Sequence, residues 1–91
     1  MKRYYIIFEG RVQGVGFRYT AQRLASDYHL TGWVRNCYDG NVDCEVQGTE
    51  ENIHRFIRSI NNPENSWIRI DNYAQKSIPI VKDEKRFGVR F

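Results

Sequence analysis

The stretch Gly10-Arg11-Val12-Gln13-Gly14-Val15-Gly16-Phe17-Arg18 constrains this chain more than any other. An apolar run, Tyr4 to Phe8, precedes it, and an amphipathic segment, Phe17 to His29, follows it. The backbone must therefore pass from a strand into a helix through a glycine-rich loop, with an arginine in the first helical turn. A helix start exposes unpaired N–H groups and carries partial positive charge. Ser, Thr, Asp or Asn at the cap and acids in the first turn normally answer both needs. Here Val15-Gly16 precedes the helix, and Phe17 to Arg23 holds two arginines and no acid. A cation at the positive end of a helix has the wrong sign, so the missing partner is an anion. Gly14 and Gly16 would let backbone N–H groups approach it, and Arg18 could grip it with a fork of donors. A plain tight turn with a solvated Arg18 fits the same residues, because a lone glycine loop is a weak signal.

The rest of the chain reads as short alternating elements. The first strand, Tyr4 to about Gly10, is apolar on both faces, as a central strand is. In the first helix, Phe17, Ala21, Leu24, Ala25 and Tyr28 share one stripe, and His29 lies near the C-terminus. Thr31-Gly32 leads into a second strand, Trp33 to Asn36. Tyr38-Asp39-Gly40-Asn41 is a turn, and Val42 to Gln47 alternates with Val42, Cys44 and Val46 inward. Cys37 then faces away from Cys44, which argues against a disulfide. Gly48-Thr49-Glu50-Glu51 opens a second helix in the ordinary way, with Thr49 as cap, and Ile53, Phe56, Ile57 and Ile60 form its apolar stripe. His54 lies off that stripe, as a solvated residue would. Trp67 to Tyr73 reads as a fourth strand, Ser77 to Lys85 as an irregular loop, and Phe87 to Phe91 as a short final strand. The order βαββαβ predicts a ferredoxin-like α+β sandwich, an antiparallel sheet with two helices on one face.

Ninety-one residues are expected to form one domain, residues 1–91, with a core that needs no metal or disulfide. The net charge of +3 favours anionic partners, and no block of like charge forms a basic tail. Glu9 ends the N-terminal apolar run too early for a signal peptide, and no stretch is long enough to span a membrane. The expected compartment is the cytoplasm. Two cysteines without metal spacing fit it.

A second stretch sharpens the reading. Gly32-Trp33-Val34-Arg35-Asn36, then Gly40-Asn41-Val42, then Gly48 fit the form G-aromatic-V-basic-N-x3-G-x-V-x5-G. Gly10 to Arg18 fits the form G-x-V-Q-G-V-x-F-R. Together they resemble the two motifs of the acylphosphatase family. The resemblance thins after Pro63, where Asp71 and the Ser77 to Lys85 loop are less typical, and Phe8 stands where a branched aliphatic is common. It implies metal-independent hydrolysis of an acyl phosphate to a carboxylate and inorganic phosphate, with no phosphoenzyme. It further implies that Arg18 binds the phosphate, that Asn36 positions the attacking water, and that the loop backbone at Gln13, Gly14, Val15, Gly16 and Phe17 cradles the phosphate. No cofactor, nucleic acid or membrane is implied. A monomer is expected.

The residues agree with that chemistry. The leaving carboxylate has a conjugate-acid pKa of about 4, so it departs without a general acid. The chain has no serine elbow, no Cys-His arrangement and no metal-spaced histidines. What remains is positioning and charge stabilisation, the usual work of phosphoryl transfer. Trp33 reads as sheet packing, and Arg11, Arg23 and Arg35 as solvated charges. Two alternatives share parts of this pattern. RNA-recognition domains have the same element order, but they place stacking aromatics on the third strand, where this chain has Asp43 and Glu45. An accessory unit handling carbamoyl phosphate within a larger maturation protein would keep the fold and lose the stand-alone role.

Overall fold

A computed structural model describes residues 1–91. The elements run β1 (Lys2–Arg11), α1 (Phe17–Asp27), β2 (Thr31–Asn36), β3 (Val42–Gly48), α2 (Glu50–Ile60), β4 (Arg69–Ile78) and β5 (Phe87–Arg90). They form one five-stranded sheet in the order β4-β1-β3-β2-β5. The first four strands pair antiparallel, as the order βαββαβ requires, and β5 joins β2 in parallel, which makes the sheet mixed.

Side-chain alternation divides the sheet into two faces. Ile6, Phe8, Val34, Val42, Cys44 and Val46 point to the helices and are buried in the core. From α1 come Phe17, Ala21, Leu24 and Ala25, and from α2 Ile53, Phe56, Ile57 and Ile60. Each large side chain buried this completely contributes about 1.5–3 kcal/mol. The helices are also joined where the Tyr28 and Ser59 hydroxyls hydrogen-bond at 2.8 Å.

Several boundaries differ from the sequence reading, each for a structural reason. Helix α1 ends at Asp27, short of His29, in a Schellman turn: His29 N–H donates to Ser26 O and Leu30 N–H to Ala25 O. The position that turns left-handed is usually glycine, and here it is His29 at φ 56°. The turn buries Leu30 against the core. Strand β4 starts at Arg69 rather than Trp67 and runs past Tyr73 to Ile78, because Ala74 to Ile78 pair along the edge of β1, including Ser77 and Ile78 that read as loop. Strand β1 is flanked on both sides, as its apolar run suggested. Cys37 and Cys44 are both free.

The face away from the helices carries a polar network that the hydrophobic pattern conceals. Arg3 is 2 % exposed. It donates to Glu45, to Gln47 and, through two nitrogens, to Glu84. Gln47 in turn bonds both the N–H and the carbonyl of Val81, so the segment before β5 is strapped across this face.

Candidate active site

Sheet topology brings the two motifs together. Strands β1 and β2 are both antiparallel to β3, so they run in the same direction and end at the same edge of the molecule. Val42, at the start of β3, pairs with Phe8 on one side and Asn36 on the other. Two interstrand spacings, roughly 9.5 Å, therefore separate the end of β1 from the end of β2. Strand β5 is parallel to β2, so its end at Arg90 arrives there as well.

Between β1 and α1 the backbone turns left-handed twice, at Gly14 (φ 71°) and Gly16 (φ 82°). Gly16 is the cap of α1 and offers no side chain, and the first turn holds no acid. Helix α2 provides the contrast, for its Thr49 side chain accepts from the Asn52 N–H at 3.1 Å and Glu50 and Glu51 follow. The α1 start is therefore a donor array without an acceptor, of the kind that binds anions.

Two side chains hold this loop. Gln13 Nε2 donates to Cys37 O at 2.7 Å and to Asn41 O at 2.8 Å, which ties the loop to the β2–β3 turn. Asn65 Nδ2 donates to Val15 O at 2.8 Å. Beneath the loop, Phe17 is buried against Phe8, with ring centroids 5.1 Å apart.

A recess of about 550 Å³ opens at this edge, lined in part by Gly14, Gly16, Phe17, Arg18 and Asn36. Of the sequence-derived candidates, these five share it, together with Tyr19, Val89 and Phe91. Gln13 and Val15 do not line it. The Gln13 side chain faces the neighbouring turn, and Val15 packs against the core. Arg18 is steadied from the end of β5, donating from Nη1 to Arg90 O at 3.2 Å with its guanidinium 5.0 Å from the Phe91 ring centroid. Its other N–H donors make no hydrogen bond within the protein. Asn36 Oδ1 is buried and has no hydrogen-bond partner. A half-turn of the amide exchanges oxygen for nitrogen, so the group can present an acceptor or a donor.

The neighbouring ionisable groups belong to the framework. Burial raises the Asp43 carboxyl, but hydrogen bonds from Arg35 and Tyr5 outweigh it and leave the pKa lowered. Burial first, and the Asp43 charge second, push the Cys37 thiol above its ordinary value, so it is no ready thiolate. Arg35 is not the free surface charge its sequence context suggests. It makes a two-pronged pair with Asp43, at 3.0 and 2.8 Å, and lies over the Trp33 ring. Trp33 is packed between Arg35 and Arg90. No three His, Cys, Asp or Glu side chains gather as a metal-binding group. Sequence reasoning missed Asn65 and Phe91, neither of which falls in either motif.

Fold and site together define a small α+β domain in which an uncapped helix start, one arginine and one uncommitted amide line the same recess. The acylphosphatase family model matches residues 4–89. An acylphosphatase of Clostridium acetobutylicum is 45 % identical over 89 residues, which cover 98 % of this chain and 97 % of that one. The crystal structure of acylphosphatase from Bacillus subtilis superposes with a TM-score of 0.93 at 33 % identity, with each chain covered in full. The crystal structure of T. kodakarensis HypF also aligns over all of this chain, with a TM-score of 0.88 and 35 % identity, but over only 12 % of its own length. The chain belongs to the acylphosphatase family, and it is a hydrolase.

Proposed function

We propose that this protein hydrolyses acyl phosphates to a carboxylate and inorganic phosphate without a metal ion and without a covalent intermediate. The observation that carries the reading is the meeting of Arg18, the uncapped start of α1 and Asn36 around one recess. The phosphoryl oxygens sit on backbone N–H groups of the Gln13 to Phe17 loop and on the free donors of Arg18. The Asn36 amide orients a water toward phosphorus without changing charge. The water oxygen bonds to phosphorus as the phosphorus–oxygen bond to the acyl group breaks. The electron pair leaves on the carboxylate. One water proton passes to a phosphoryl oxygen and the other stays on the new hydroxyl, so the products are RCOO⁻ and H₂PO₄⁻. The work is positioning and electrostatic stabilisation.

The open sheet face lends no support to RNA recognition. Its third strand presents Asp43 and Glu45, both in ion pairs, and Trp33 is covered by two arginines. The test is hydrolysis of a simple aryl acyl phosphate, with and without chelator. Turnover is expected to survive the chelator. Arg18→Ala should lose at least roughly 10³-fold, since one donor to developing charge alone is worth about 10²–10³. Arg18→Lys should fail similarly, because an ammonium lacks the planar fork. Asn36→Ala should lose turnover while keeping phosphate affinity. No turnover by folded wild-type protein overturns the reading, and phosphate binding lost in Asn36→Ala but kept in Arg18→Ala overturns the roles.

A further inference from the structure

Asn65 lies outside both motifs, in the connection between α2 and β4. Its Nδ2 reaches back fifty positions to donate to the Val15 carbonyl at 2.8 Å. Its Oδ1 accepts from the Trp67 N–H at 2.9 Å. The second bond sets the orientation of the amide, because an N–H requires the oxygen. The nitrogen is therefore the atom that faces Val15. A Cβ placed on Gly16 would sit 3.4 Å from the same nitrogen, so the amide lies against the Val15–Gly16 peptide.

A trans peptide points its C=O and N–H in opposite directions, and this chain has no cis peptide. Holding the Val15 carbonyl toward Asn65 therefore aims the Gly16 N–H away from Asn65. Gly16 lines the recess. Glycine is the residue that resists a peptide flip least, because both signs of φ are open to it. A flipped peptide would turn a carbonyl oxygen, rather than a donor, toward the anion. We propose that Asn65 is a positioning residue that locks the Val15–Gly16 peptide with its N–H directed at the phosphate. The inference rests on the reading of this recess as the phosphate site. Asn65 touches no substrate; it acts through the peptide it holds.

Removal of a group that orients a ligating atom costs about 10–100-fold in the comparable case of metal ligands. Asn65→Ala is accordingly expected to weaken inorganic phosphate binding about tenfold and to lower kcat on an aryl acyl phosphate. Nuclear magnetic resonance supplies a readout that a merely structural role would not move. Phosphate titration should shift the Gly16 amide strongly in the wild type and much less in Asn65→Ala. Asn65→Asp sharpens the test and decides it where Asn65→Ala does not fold. An aspartate oxygen still accepts from the Trp67 N–H, but the ionised group cannot donate to Val15 O. Below about pH 4 the carboxyl is protonated and donates again. Phosphate affinity relative to wild type should therefore be low at neutral pH and recover as pH falls. Wild-type phosphate affinity and an unchanged Gly16 response in both variants overturn the proposal and leave the hydrolase reading intact. Absence of phosphate binding by the wild type overturns both.

Discussion

Gln13 offers the sharpest test of how the two motifs are joined. Its amide makes two hydrogen bonds, to Cys37 O and Asn41 O, and both cross from the loop to the β2–β3 turn. Each bond contributes about 0.5–1.5 kcal/mol net. The acceptors are not orphaned by truncation, because Asn41 O also accepts from the Cys37 N–H and Cys37 O from the Gly40 N–H. Gln13→Ala should therefore cost the two bonds and no desolvation penalty, about 1–3 kcal/mol together. For a domain of this size that is a fall in Tm of roughly 5–20 °C. Gln13→Glu should cost more than Gln13→Ala, because a carboxylate would face two carbonyl oxygens with nothing to donate. The measurement is urea unfolding of wild type and both variants, read as a change of midpoint at constant slope. Gln13→Glu as stable as wild type would refute the reasoning, since no donation from this side chain could then be holding the turn. Phosphate affinity should fall alongside stability in both variants, because the same two bonds anchor the loop whose N–H groups are proposed to hold the phosphate.

The other framework groups give further expectations. Arg3→Leu leaves Glu45 and Glu84 facing each other without their shared cation, and chemical denaturation should show a loss of about 3 kcal/mol. Stability should also fall on acidification. The Asp43 and Glu84 carboxyls both titrate below their ordinary values, so the folded state is favoured above the unfolded carboxylate pKa of about 4 and loses that advantage as pH drops through the lowered folded values. Asp43→Asn should flatten that acid limb of a stability-versus-pH series. Gly32→Ala and Gly14→Ala both place alanine at positive φ, but only at Gly32 does the new Cβ collide with backbone, the Glu45 carbonyl. Thermal unfolding should show Gly32→Ala as far the more destabilising of the two.

How much of this could be read beforehand differs between elements. The helical stripes, the β3 alternation and the Asp39-Gly40 turn were legible because burial on one side imposes a period on the residues that form them. Arg18 and Asn36 stood out as candidates because they break local expectation or sit within a specific pattern, and the fold brings both to one recess. The end of α1 was hidden, since His29 occupies the left-handed position where glycine is the usual marker. The second half of β4 was hidden because an edge strand exposed on both faces carries no hydrophobic period, and only pairing with β1 makes it a strand. Nothing local in the sequence marks Arg3 or Asp43 for burial, yet each is buried by partners far along the chain. Asn65 could not be found for the same reason: its role depends on a contact fifty residues away, and nothing adjacent to it signals that contact.

The unequal starts of the two helices lead to a last prediction. Thr49, Glu50 and Glu51 give α2 a stabilised beginning, whereas α1 forgoes both cap and acid. A cap is worth about 1 kcal/mol, and an acid in the first turn ~0.3–1 kcal/mol. If an anion is the natural partner of the α1 start, supplying a fixed acid there should trade binding for stability. Tyr19 is the place to do it. It stands in the first turn, lines the recess and is 71 % exposed, so replacing it disturbs little packing. Tyr19→Glu should raise Tm by about 2–6 °C, the equivalent of that first-turn stabilisation, and weaken phosphate binding several-fold. Tyr19→Gln removes the same ring without the charge and should change neither property in that way. Added salt should narrow the difference between the two variants, because exposed charges are screened. Equal phosphate affinity in Tyr19→Glu and Tyr19→Gln at low salt would mean that no anion occupies the start of α1.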